Sequence, residues 1–375
     1  MYYNLLIMEM HQRKIQSFAK YSYAVTLPIH WIKKNHLEKK EKNGSSKDPA
    51  VNIFENPDGS LGIFPLKEKI KSKEQIFLLE LDDLLKQNPN IINEKGISLI
   101  LISYYMNGAS GIEIQSKQPI PKEFIDQIEK TQTRLLFNWN LNRVSSRKLL
   151  IKNIFSETPE NIFQEEIPRY LRESFSILLW MLEDILTAME NEDYSNLQEI
   201  EQQDQKIDRY YFFIVRQIRT IFENPQISKP LNYSHKKLID LRLLAKLIED
   251  VGDSLKEIAS TLFEMNEFFN EIALRDFLIQ YFKSLLEIYS ELADHIRKNV
   301  VERAPAMGLN NEMMQLIQKF RFIGEKLQAD WFSLAPKLGV IEDKHTFMEY
   351  YKGARLVGNL EDIFKNVFDF TNIFF

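Results

Sequence analysis

Cysteine is absent from the 375 residues, which removes disulfides, thiolate zinc sites and cysteine nucleophiles together. Nothing then argues for an oxidising compartment, and the cytoplasm is the expected location. Histidine is scarce: the six are scattered, and no HExxH pair exists. A Walker loop, a GxGxxG turn after a strand and a GxSxG elbow are also missing, so these phosphate-binding, dinucleotide-binding and hydrolase classes are excluded and no enzymatic activity is expected. Long apolar runs are lacking as well. The longest, "ISLILISYYM" at 97–106, is too short to cross a bilayer, and the start "MYYNLLIMEMHQRK" places its apolar stretch before its basic residues, the reverse of a signal peptide. No membrane insertion is expected.

What the chain has is 44% hydrophobic residues, ample for a core spread over two or three domains, and a formal net charge of −5. The mild acidity does not suit a nucleic-acid binder overall. Charge is unevenly placed, however, and the first 47 residues hold many more Lys and Arg than Asp and Glu, so any nucleic-acid contact belongs there.

The organisation reads in three stages. In "RKIQSFAKYSYAVTLPIHWIKKN" (13–35), Lys14 to Gln16 and Ala24 to Leu27 have the character of strands, and Pro28 fits the first turn of a helix through Trp31 to Asn35. A charged linker, "EKKEKNGSSKDP", separates this unit from "VNIFENPDGSLGIFP", a hairpin with Asp58-Gly59 at its turn. So small a unit (1–66) cannot bury a core alone, which predicts a homodimer in which two chains interleave. Over 67–157 the apolar runs "ISLILISYYMNG", "GIEIQS" and "RKLLIKNIF" and the helix-like "PKEFIDQIEKTQTRLL" read as a small α/β segment.

After Pro168 the pattern becomes helical: Phe175, Leu178, Leu179, Leu182, Ile185, Leu186 and Met189 line one helix face. "SILLWMLEDI" from Ser176 shares its spacing with "KSLLEIYSEL" from Lys283, and "VGDSLKEI" from Val251 resembles "VGNLEDIF" from Val357. With breaks near "ENPQISKPLNYS", "ERAPAMGLNN" and "APKLGVIEDKH", these matches predict two three-helix repeats, 166–268 and 269–375. The expected fold is thus mainly α: six helices in tandem bundles behind a small β-rich unit and a short α/β segment.

Carboxylates at helical spacing are the remaining chemistry. "EQQDQKID" sets Asp204 and Asp208 four apart, and "EDVGD" does the same with Glu249 and Asp253 on the next helix. Two facing pairs would make an oxygen-rich site suited to Mg, Mn, Ca or iron. Acidic residues four apart are more often simply solvated, and Lys206 or Lys246 could neutralise these as surface pairs. Asp204 nevertheless falls within the stripe of Ile200, Ile207, Tyr211 and Ile218, an odd place for an unneeded charge, whereas Glu249 and Asp253 point away from Leu244, Val251 and Leu255.

These residues resemble a family. The opening 13–35 looks like the swapped-hairpin module of AbrB and SpoVT, while "DRYYFFIVRQIR", "LIEDVGDSLKEIA" and "YYMNGASGIEIQSKQPIPKEF" look like archaeal PhoU-like phosphate-uptake regulators that carry such a module in front. The resemblance implies a regulator of phosphate uptake, acting on DNA or on a phosphate transporter ATPase or sensor kinase. It also implies a metal cluster, of a divalent ion or iron, on D/ExxxD pairs that map to Asp204 with Asp208 and Glu249 with Asp253. Arg355 and Asn359 stand where the second repeat would carry its pair, so metal is expected on the first repeat only. Duplex DNA would meet Arg13, Lys14, Lys20, Lys33 and Lys34; the bland alternative makes the module a dimerisation unit.

Overall fold

The computed structural model describes residues 12–38, 49–55, 59–66, 76–89, 94–153, 159–223, 235–265, 272–296, 311–335 and 344–372. The chain divides into two compact units, 1–73 and 74–375. In the first, β1 (Gln16–Ala19) pairs antiparallel with β2 (Ser22–Ala24), α1 (Ile29–Lys34) follows Pro28, and β3 (Val51–Glu55) pairs with β4 (Leu61–Pro65). The strands expected at 14–16 and 24–27 are displaced inward. A two-residue turn at Lys20 and Tyr21 sets the register, so pairing is confined to 16–24 and Val25 to Leu27 run on unpaired into Pro28. Gly59 takes the left-handed φ of 80° that the second hairpin turn needs, while Asp58 and most of the linker, 39–48, lie outside the described residues. None of the described residues of this unit is buried: Phe18 is 82% and Tyr21 88% exposed.

The second unit begins with an α/β layer of β5 (Ile76–Glu80), α2 (Leu81–Gln87), α3 (Glu94–Met106), β6 (Gly111–Gln115), α4 (Lys122–Leu135), β7 (Trp139–Ser145) and β8 (Lys148–Asn153). The sheet order is β5-β6-β8-β7, with β5 parallel to β6 and the other pairs antiparallel. A parallel pair needs a crossover, which α2 and α3 supply. The run "ISLILISYYM" is therefore helical. Ile97, Leu101, Ile102 and Tyr105 bury one face of α3, and the helix stops at Gly108 with φ 79°. Alternation along β6 and β8 sends Ile112, Ile114, Leu149 and Ile151 into a core shared with Phe124 and Ile128 of α4.

Six long helices follow: α5 (Pro159–Asn191), α6 (Ile200–Glu223), α7 (His235–Met265), α8 (Ile272–Ile296), α9 (Asn311–Leu334) and α10 (Lys344–Asn372). The first does not wait for Pro168 but passes through it. An internal proline costs about 3 kcal/mol, and burial of Ile167, Tyr170 and Leu171 around it offsets that loss. α5, α6 and α7 pack pairwise, and α9 lies against both α8 and α10. The main joints between the two sets are α5 with α8 and α7 with α10, so equivalent helices meet. Among the described residues no helix is long and apolar enough to cross a membrane.

Contacts and burial together fix how the repeats correspond. Gly324 lies against Phe364 between α9 and α10 as Asp204 lies against Gly252 between α6 and α7. In that register buried Leu244, Ala245, Ile248 and Val251 on α7 match buried Leu356, Val357, Leu360 and Ile363 on α10. It departs from the Val-Gly match, because the packed face sets the equivalence and a shared dipeptide does not. Asp204 thus corresponds to Gly324, Asp208 to Gln328, Gly252 to Phe364, and Glu249 and Asp253 to Glu361 and Lys365 rather than to Arg355 and Asn359.

Candidate functional site: an acidic cleft between α6 and α7

The apolar stripe of α6 must face α7, and Asp204 stands in that stripe. Its side chain is 2% exposed, the most deeply placed carboxylate of the four. The helices come close here because α7 carries Gly252. A Cβ at that position would sit 3.3 Å from Asp204 Oδ1 and 3.2 Å from Ile207 Cδ1. Asp208, one turn on, Glu249 and Asp253 complete the cleft; Glu249 is turned inward more than its wheel position implied, with only 12% of its side chain exposed, while Asp253 is 50% exposed.

Two lysines answer these charges. Lys256 Nζ donates to Asp204 Oδ2 at 2.6 Å and to Asp253 Oδ1 at 2.5 Å, bridging the two helices. Lys246 donates to Glu249 and lies 2.7 Å from Asp250 Oδ1. Burial alone would lower both ammonium groups, but their hydrogen bonds to the carboxylates prevail and hold both above the ordinary lysine value. Among the described residues no lysine donates to Asp208. Burial, then the charges of Asp204, Glu249 and Asp253, push its carboxyl up to about 7, and the more distant Lys256 only partly opposes them. Asp204 is pulled both ways; burial outweighs Lys256 and leaves it raised, with Oδ1 buried and without a hydrogen-bond partner.

The four carboxylates expected to hold metal are therefore brought to one cleft, but not as an open ligand set. Three of them are bound by lysine ammonium groups. Among the described residues no group of three or more acidic, His or Cys side chains converges to metal-holding distance. Oxygen donors of this kind suit a hard cation, yet the side chains as they stand do not fit one, because Lys256 fills the space between Asp204 and Asp253. In the second repeat the same place is a groove of about 280 Å³ lined by Phe320, Arg321, Gly324, Gln328, Glu361 and Lys365 among others.

A second cluster escaped sequence reasoning. Arg216 of α6 donates to the Tyr105 carbonyl at 2.6 Å and lies 4.8 Å from the Tyr105 ring centroid. Arg219 bonds Asn107, and Arg209 stacks 4.1 Å over Phe137. The arginines of "DRYYFFIVRQIR" thus fasten α6 to the α/β layer; their seven-residue and three-residue spacing was the signal available. The five basic residues named for DNA fall in the first unit: Arg13 and Lys14 before β1, Lys20 in its turn, Lys33 and Lys34 in the last turn of α1, all exposed.

No curated protein and no solved structure matches the chain. Residues 171–262 match the PhoU domain family, a span that runs from α5 through α7 and contains the whole acidic cleft, and this supports a PhoU-like protein.

Proposed function

We propose that the chain is a cytoplasmic regulator of phosphate uptake and phosphate homeostasis, working through binding rather than through chemistry of its own. The observation that carries this reading is the PhoU domain match over the first helical repeat. The N-terminal unit is read as a homodimerising module that contacts duplex DNA. Its hairpin exposes Phe18, Tyr21 and Tyr23, which a second copy would cover, and its basic residues Arg13, Lys14, Lys20, Lys33 and Lys34 are exposed, where phosphates could meet them.

A second reading, contact with a phosphate transporter ATPase or a sensor kinase without DNA, draws on Trp180, Ile239 and Leu243, exposed on the first-repeat helices. Titrating fluorescent duplex DNA with the full chain across a salt series separates the two. Affinity that falls steeply with salt, and that is lost when the five basic residues are changed to Gln, supports the DNA reading; no binding at low salt leaves the protein-contact reading. Loss of the protein should release phosphate uptake from repression in phosphate-rich cells, and unchanged uptake would overturn both.

A further inference from the structure

Lys256 lies one turn after Asp253 on α7, outside the two carboxylate pairs, and sits at the centre of the cleft. Its ammonium touches one carboxylate from each helix, Asp204 on α6 and Asp253 on α7, at 2.6 and 2.5 Å. It is half-withdrawn from solvent, with its side chain 30% exposed. A cation bridging two helices through their acidic side chains is what a bound metal ion would be. In the second repeat Gly324 stands in place of Asp204, so the α6 half of the arrangement is missing.

We propose that the Lys256 ammonium is the resident cation of this cleft: it takes the place of a divalent ion, ties α6 to α7 without metal, and keeps metal out while it remains there. The inference rests on reading the four carboxylates as a cation site. With lysine in place, Asp204 Oδ2 and Asp253 Oδ1 already have a cation, and an ion entering the cleft must first displace a tethered group whose local concentration is far above that of any free ion. With lysine removed, Asp204, Asp208 and Asp253 lose their shared positive neighbour, and an external cation becomes the remedy.

Thermal unfolding of the full chain in chelator and in a manganese(II) series tests this with wild type, Lys256→Gln and the Asp204→Asn/Lys256→Gln double variant. Wild type should unfold at the same temperature in chelator and in about 1 mM manganese. Lys256→Gln should unfold about 3–8 °C lower in chelator and recover with manganese, and the double variant should not recover. Lys256→Arg, which keeps the charge, should behave as wild type and serves if the Gln variant does not fold; an Arg variant that responds to manganese would overturn the proposal. So would a Gln variant no more responsive than wild type. If both respond equally, metal binds beside the lysine and the cation reading survives alone; if neither responds, the cation reading of the four carboxylates falls as well.

Discussion

The two helical repeats bury equivalent faces of equivalent helices and differ where those faces meet solvent. In the first, Gly252 lets α6 and α7 approach until Asp204 is sealed beneath Lys256. In the second, Phe364 takes the place of Gly252 and Gly324 puts no side chain where Asp204 stands, leaving a groove. One fold thus holds a filled polar cleft and a vacant one. The difference teaches that the apolar stripe sets the architecture, while two or three positions on its rim decide whether a charged cluster can form there.

Substitutions in the first-repeat cleft should break the contrast, with effects of graded size. Lys256→Glu adds a fifth carboxylate beside the four and removes the partner of buried Asp204; we expect a loss of about 3–5 kcal/mol in denaturant unfolding. Gly252→Val drives a branched side chain toward Ile207 and Asp204, at a cost of about 1–3 kcal/mol. The second helical repeat should be insensitive to this change by hydrogen exchange.

Asp208→Asn, nearer to Gln328, sharpens the comparison through pH. The folded carboxyl titrates near 7 and the unfolded one near its ordinary value, so the folded state holds the extra proton between about pH 4 and 7. Its contribution to stability is therefore greatest at acid pH and is lost as pH rises through 7. The variant, neutral throughout, should gain on wild type by about 1–2 kcal/mol between pH 5 and pH 8, and an advantage that shrinks with pH would contradict the charge crowding. The smallest effect belongs to Gly358→Ala, where an added Cβ meets nothing; relief of helical glycine should stabilise by about 0.5–1 kcal/mol in the same unfolding assay.

Much of the helical architecture was legible because a buried stripe must recur every three or four residues, and all six long helices announce themselves this way. The α/β layer was legible only in part. β6, α4 and β8 carry clear patterns, but "ISLILISYYM" is uniformly apolar, and a buried helix and a buried strand look alike there. β7, "WNLNRVS", is too polar to stand out, and β5, "IFLLE", lacks the alternation that marks β6. Asp204 was legible as a charge in an apolar stripe. Lys256 was not, because it lies 52 residues from Asp204 and only tertiary packing joins them. The second-repeat counterparts were misassigned by a Val-Gly match that burial overrules.

α6 is one uninterrupted helix from Ile200 to Glu223, with Asp204 in the cleft and Arg216 fixed to the α/β layer. Twelve residues of helix separate them, about 18 Å of nearly incompressible rod. A change in side-chain balance at one end has no loop or hinge along that length in which to dissipate. Axial travel or rotation of α6 at the cleft is therefore felt with the same magnitude at Tyr105 and Trp139, which gives the α/β layer a mechanical view of the cluster twelve residues away along the helix.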